Sequence, residues 1–139
     1  MDILCLPAKM EHFESFRSYV MERAVNWGMD QETLFKIELA LEELLTNVIH
    51  YAYTDNVDGL VEVACSLEDS RFHLSIHHWG QPFDPLERAD PNLTEGIDER
   101  RIGGLGIHLV RHMADELYYQ RQAGANIVHI YFDTVCRLD

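Results

Sequence analysis

The sequence predicts a two-layer α+β sandwich, in which a mixed, mainly antiparallel sheet is covered by helices on one face. Three observations predict it. Two successive segments, His12 to Met29 and Asp30 to about Tyr53, carry apolar residues at helical spacing. Leu60 to Leu67 and Arg71 to Trp79 read as neighbouring strands that make a hairpin. A third helical segment then leads into two further strands. Such a sheet has one apolar face, and helices are what cover it.

Taken in order, Ile3-Leu4-Cys5-Leu6 before Pro7 is a short first strand, and Phe13, Phe16, Val20 and Ala24 mark the inner side of the first helix. Gly28-Met29-Asp30 breaks that pattern, with Asp30 as N-cap of the second helix. Asp58-Gly59 is a turn before the hairpin. From Gly80 to Gly103 the chain holds Pro82, Pro85, Pro91 and many charges with little periodicity, a loop long enough to imply a purpose. Residues 84 to 103 are read as a lid. Leu105 to about Leu117 is the third helix, and Tyr118 to Gln122 and Ile127 to Val135 are strands around a Gly124-Ala125-Asn126 turn.

With 139 residues the chain is read as a single domain, 1–139, able to bury about two thirds of its unfolded surface. Its apolar runs fall short of a bilayer span and its first residues lack a basic stretch, so no membrane association is expected and the protein is read as cytoplasmic. Cys5, Cys65 and Cys136 are odd in number and scattered, which fits buried reduced thiols better than a disulfide framework. A formal charge of −13 repels nucleic-acid phosphates, so direct DNA or RNA binding is not expected. The two lysines, Lys9 and Lys36, follow no glycine loop, so the phosphate loop that ends in Gly-Lys-Ser/Thr is absent.

Three constellations carry chemistry. At about 100° per residue, Leu34, Ile37, Leu41, Leu44, Leu45 and Val48 form one stripe of the second helix, while Glu43 and Asn47 lie off it, one turn apart, beside Leu39 and His50. Taken alone, that pair reads more readily as a solvated helix side. Gly103-Gly104-Leu105-Gly106 opens the third helix, where free amides and the dipole favour an anion, and Arg100 and Arg101 precede it; by itself this is equally a hinge. In the strand from Arg71, alternation turns Phe72, Leu74, Ile76 and His78 inward, with His78 just before Gly80-Gln81-Pro82-Phe83-Asp84-Pro85. His73 and His77 face the other way, about 13 Å apart, and are read as surface residues rather than metal ligands.

Together these residues resemble a known family. Glu42-Glu43-x-x-x-Asn47, Gly80-x-Pro82-Phe83-Asp84-Pro85 and Gly103-Gly104-Leu105-Gly106-Ile107-x-Leu109 stand in the order of the N, G1 and G2 boxes of the Bergerat-type (GHKL, histidine-kinase-like) ATPases. More narrowly, nearly the whole chain resembles the small anti-sigma factor serine/threonine-protein kinases of bacterial partner switching. The resemblance implies a Bergerat sandwich, ATP and Mg²⁺ under a lid, and phosphorylation of a serine on a small anti-sigma-factor antagonist. It also implies a sigma factor or analogous regulator as a second partner, and a homodimer.

Carried over by position, the resemblance makes Asn47 the Mg²⁺ ligand and Glu43 the general base. Gly103, Gly104, Leu105 and Gly106, with Arg101, would close on the phosphates, and Gly80 would admit the nucleotide. One departure stands out. The residue two before the G1 glycine is an aspartate in the family, accepting from the adenine amino group, and is His78 in this chain. A neutral imidazole still accepts one such bond, and a protonated one does not. The residues thus support two functional readings: an ATP-dependent serine kinase, favoured by Glu43 and Asn47, or a non-catalytic partner-switching module with a degraded adenine pocket, favoured by His78.

Overall fold

The computed structural model describes residues 3–53, 59–88 and 104–134. In chain order these form β1 (Ile3–Pro7), α1 (Phe13–Asn26), α2 (Gln31–Asn47), β2 (Leu60–Glu68), β3 (Arg71–Trp79), α3 (Gly104–Met113), β4 (Glu116–Gln122) and β5 (Ala125–Asp133). The strands make one sheet in the order β1-β2-β3-β5-β4, with all four pairings antiparallel. The helices cover one face of it, as the sequence predicts. Among the described residues no helix is long and apolar enough to cross a membrane.

Phe16, Val20 and Ala24 of α1 are fully buried. The helix ends where Gly28, at φ +83°, donates to Val25 O (3.0 Å) and Met29 N donates to Ala24 O (3.1 Å), a closure that needs the left-handed backbone glycine tolerates. Asp30 then caps α2, its Oδ1 accepting from Thr33 N at 2.9 Å. Ile37, Leu41, Leu44, Leu45 and Val48 of the expected stripe are fully buried, with Leu34 packed beside them. The second helix does not run as one α-helix to Tyr53: after Asn47 the chain makes a π turn over Val48–Ala52. The extra residue in that turn changes which side chains face inward just beyond Asn47, leaving Tyr51 exposed.

The sheet's inner face obeys the pairing register. Val63 lies opposite Ile76 and Ile76 opposite Val128; Cys65 lies opposite Leu74 and Leu74 opposite Ile130; Phe72 lies opposite Phe132. All are buried against the helices, with Ile107 and Val110 of α3 completing the core. At one end the same face carries a row of a different kind, Val61, His78, Asn126 and Arg121 across four strands.

Two further boundaries and one burial differ from expectation. The third helix stops at Met113, where Ala114 N still reaches Val110 O but Asp115 N joins the sheet through Tyr131 O at 2.9 Å, so Leu117 is a strand residue opposite Ile130. The last hairpin turns at Ala123-Gly124, both with positive φ (53° and 80°), so Ala125 and Asn126 belong to β5. Cys65 is buried but Cys5 is exposed, because edge-strand alternation turns it away from the helices; Cys136 lies outside the described residues.

The sheet's other face is not simply solvated either. His73 is nearly covered, stacked on Tyr131 (4.4 Å) and His129 (5.1 Å), with Nδ1 on Glu68 and Nε2 on His129 Nδ1, both at 2.9 Å. His77 is half-buried. Reading both as surface residues underestimates what neighbouring aromatic side chains on adjacent strands can cover.

Candidate functional site

The packing of α3 against α2 draws two predicted residues together. Glu43 is half-buried, and its carboxylate lies so close to Gly106 that a Cβ built there would stand 1.9 Å from Oε2 and 2.1 Å from Cδ. Glycine at 106 is what allows the approach. Burial, and secondarily the neighbouring Glu42, raise the Glu43 pKa above the usual carboxylate value. One turn on, Asn47 is only 3% exposed although it lies off the apolar stripe, and its Nδ2 has no hydrogen-bond partner among the described residues. An amide so buried and unpaired costs roughly 1–3 kcal/mol.

Gly104 is the first residue of α3, so its backbone and that of Gly106 sit in the helix's first turn, as the sequence predicts. Arg100, Arg101, Gly103 and most of the expected lid lie outside the described residues, as does the side chain of Leu105. The part of the lid that is described, Pro85–Arg88, is a 3₁₀ turn started by Asp84, whose Oδ1 accepts from Leu86 N at 2.8 Å.

At the end of β3, His78 points inward as predicted and is fully buried. Its ring meets Tyr53 edge-on at 6.1 Å and Phe83 edge-on at 5.8 Å, and neither ring nitrogen has a partner among the described residues. Burial, then the charges of Arg121 and His77, lower its pKa to about 4, so it is a neutral imidazole at physiological pH. Tyr53 is pinned by donating to Leu60 O (2.6 Å) and accepting from Trp79 N (3.0 Å), with its ring against Gly59, where a Cβ would fall 2.2 Å from Cζ. Gly80 comes next in the chain but one after His78, with φ +96°, a conformation other residues avoid. Tyr53, Gly80 and Phe83, with Tyr51, Ala52, Gln81 and Pro82, line a cleft of about 400 Å³.

Sequence reasoning misses the residue that holds this loop in place. Asn126 is fully buried; its Oδ1 accepts from Phe83 N (3.1 Å), Arg121 Nη1 (3.0 Å) and Tyr119 Oη, and its Nδ2 donates to Gln81 O (3.1 Å). Arg121 Nη2 donates to Gly80 O at 2.8 Å. One carboxamide thus ties the backbone of 80–83 to the β4–β5 hairpin. The available signal is a polar residue in line with Val128, Ile130 and Phe132, which placing the turn too late conceals.

Among the described residues no three His, Cys, Asp or Glu side chains gather as a metal site. A hard cation in this region would therefore draw its oxygens from Asn47 and from a bound anion, a pattern usual for Mg²⁺ with phosphates.

The geometry agrees with comparisons to known proteins. Residues 6–132 match the model of the histidine kinase-like ATPase domain. The chain is 25% identical over 127 residues to a serine-protein kinase RsbW of Oceanobacillus iheyensis, spanning 88% of this chain and 80% of that one. It is 29% identical over 136 residues to the RsbW of Staphylococcus epidermidis (91% and 83%), and 31% identical over 94 residues to the serine/threonine-protein kinase BtrW of Bordetella bronchiseptica (66% and 65%). A crystal structure of the RsbU and RsbW domains of a Mycobacterium tuberculosis protein has the same fold, with TM-score 0.62 at 17% identity, over 96% of this chain and a third of that one. The chain belongs to the histidine kinase-like ATPase domain family.

Proposed function

We propose that this protein is an ATP- and Mg²⁺-dependent serine kinase that acts as an anti-sigma regulatory factor in bacterial partner switching, phosphorylating a small anti-sigma-factor antagonist in the cytoplasm. The observation that carries the reading is the fit of the Glu43 carboxylate against Gly106 at the start of α3, one turn from the buried amide of Asn47, whose Nδ2 has no partner among the described residues. A helix N-terminus with a glycine pressed against a carboxylate, and a carboxamide beside it, suits an anionic ligand and its counter-ion.

On this reading Asn47 would hold Mg²⁺, and the amides of Gly103, Gly104, Leu105 and Gly106, with Arg101, would hold the phosphates. When bound, Mg·ATP supplies the electrophilic phosphoryl group and neutralises its charge. The protein's own part is positioning and one proton. Glu43 accepts the proton of the substrate serine hydroxyl as Oγ attacks, and its raised pKa makes it a stronger base than an exposed glutamate. Gly80 keeps the cleft mouth free of side chain, and Asn126 fixes the loop around it. The sigma factor or analogous regulator, the antagonist and a homodimer are the assembly partners.

Glu43→Ala tests the reading. Nucleotide affinity is expected to stay within a few-fold, while phosphoryl transfer to a cognate serine protein falls about 10²–10⁴-fold. Because the base acts deprotonated, the wild-type rate should rise with pH through the elevated Glu43 pKa. Undiminished transfer in the variant removes Glu43 from the role.

A second reading rests on one observation. His78 is sealed behind Tyr53 and Phe83 rather than lining the cleft, which favours a non-catalytic partner-switching module. Absence of Mg·ATP binding by both the wild-type protein and His78→Asp would select it.

A further inference from the structure

We propose that His108 and His112 form a two-histidine site for a nitrogen-seeking divalent transition metal, Zn²⁺ above all, on the exposed side of α3. The inference stands apart from the nucleotide reading and uses none of its residues. Residues four apart on a helix are neighbours on one face, and α3 runs unbroken from Gly104 to Met113. Both histidines are exposed, and their Nε2 atoms stand 3.3 Å apart with the ring planes crossed at 78°.

That separation is what a metal asks for. Two nitrogens, each about 2.0–2.1 Å from a tetrahedral zinc, stand about 3.3–3.4 Å from one another. It is long for a hydrogen bond between two rings. The protein supplies its own contrast on the outer sheet face, where His73 Nε2 and His129 Nδ1 approach to 2.9 Å with Glu68 on the other nitrogen of His73, the spacing of a pair joined by a proton. A bound ion lies in the plane of both imidazoles, which crossed rings permit.

The surroundings favour a cation. Arg111, the neighbouring positive charge, is directed elsewhere, its Nη2 donating to Leu86 O at 3.0 Å. A formal charge of −13 draws divalent cations toward the protein as a whole. Imidazole selects among them, suiting zinc, copper and nickel, whereas magnesium prefers oxygen, so the site does not compete for the Mg²⁺ expected at Asn47. Among the described residues no third His, Cys, Asp or Glu joins the pair, and water fills the remaining positions. Bound across 108–112, the metal fixes the last turn of α3, which Ala114 and Asp115 follow in place of a capping glycine.

The test titrates the full chain, free of nucleotide, with zinc chloride, by calorimetry and by NMR of the imidazole nitrogens. About one Zn²⁺ per chain is expected, with Nε2 of His108 and His112 shifting together and affinity falling at least about tenfold in His108→Ala and in His112→Ala. His12→Ala, which removes a histidine from the turn before α1, should bind as wild type does, and excess Mg²⁺ should not displace the zinc. The wild-type spectrum reports ligation directly, so it decides the case even where a variant folds poorly. Absence of binding by wild type, unchanged affinity in both α3 variants, an equal loss in His12→Ala, shifts at other histidines instead, or displacement by Mg²⁺ each overturns the proposal. None of these results bears on the nucleotide reading, which is tested without zinc.

Discussion

The two ends of the candidate site are built on opposite plans. Between α2 and α3, Glu43 and Asn47 carry polar atoms with few fixed partners, a half-buried carboxylate against a glycine and a buried amide nitrogen with no partner among the described residues. At the end of β3 the polar groups are tied down: Asn126, Arg121, Tyr119 and the backbone of Gly80, Gln81 and Phe83 form one hydrogen-bonded knot, and Tyr53 is held separately by Leu60 O and Trp79 N. The first end is left able to respond to a charged ligand. The second is a rigid frame around a single neutral ring.

The comparison breaks most severely if the knot is not a frame. Asn126→Ala strips the acceptor from two half-buried donors, Phe83 N and Tyr119 Oη, and from the guanidinium of the exposed Arg121, and a loss of about 3 kcal/mol in urea unfolding is expected, with faster amide exchange confined first to 80–83 and the β4–β5 hairpin. A loss under about 1 kcal/mol would mean that the loop holds its shape without it.

Next comes the response to acid. His78 has its folded pKa lowered to about 4 from an ordinary value of 6.5, so the unfolded chain binds this proton more readily and stability falls as pH drops from 6.5 toward 4. The contribution is at most on the order of 3 kcal/mol. It should be missing from His78→Leu, measured as the difference in unfolding free energy between pH 7 and pH 4. An equal acid response in wild type and variant would show that His78 is not the buried neutral group described above. Between pH 6 and pH 8 the ring does not titrate, so His78 should contribute no pH dependence to nucleotide affinity across that interval.

The smallest effect on stability is expected at the loose end. Gly106→Ala gains about 1 kcal/mol of helix propensity and collides only with the far end of the flexible Glu43 side chain, so the net change should stay within about 1 kcal/mol. Phosphoryl transfer should nonetheless fall at least about tenfold as the carboxylate is displaced. A variant as active as wild type would separate Glu43 from the α3 terminus.

Much of this arrangement is legible in the sequence, for identifiable reasons. Burial imposes period, so the α2 stripe and the Phe72-Leu74-Ile76-His78 alternation can be read directly, and Asp30 declares its helix start. The proximity of Glu43 to Gly106 is reached only through resemblance, because residues so far apart in the chain meet only by tertiary packing. The π turn after Asn47 has no periodic signature over five residues. Asn126 escapes because a left-handed Ala123 is uncommon, so the glycine and its two successors look like the turn instead. The cover over His73 depends on Tyr131 and His129 arriving from another strand, which no local pattern records.

The central claim is that a magnesium-bound nucleoside triphosphate lies between α2 and the first turn of α3, with its base toward the β3 end. Titrating the isotopically labelled full chain with Mg·ATP and monitoring backbone and side-chain amides by NMR tests it most directly. Saturable shifts are predicted at the Asn47 side-chain amide, at Gly106 and at Gly80, with the outer-face residues Tyr118 and Tyr131 unmoved. Unchanged spectra at millimolar nucleotide, or shifts confined to the outer face, would contradict it.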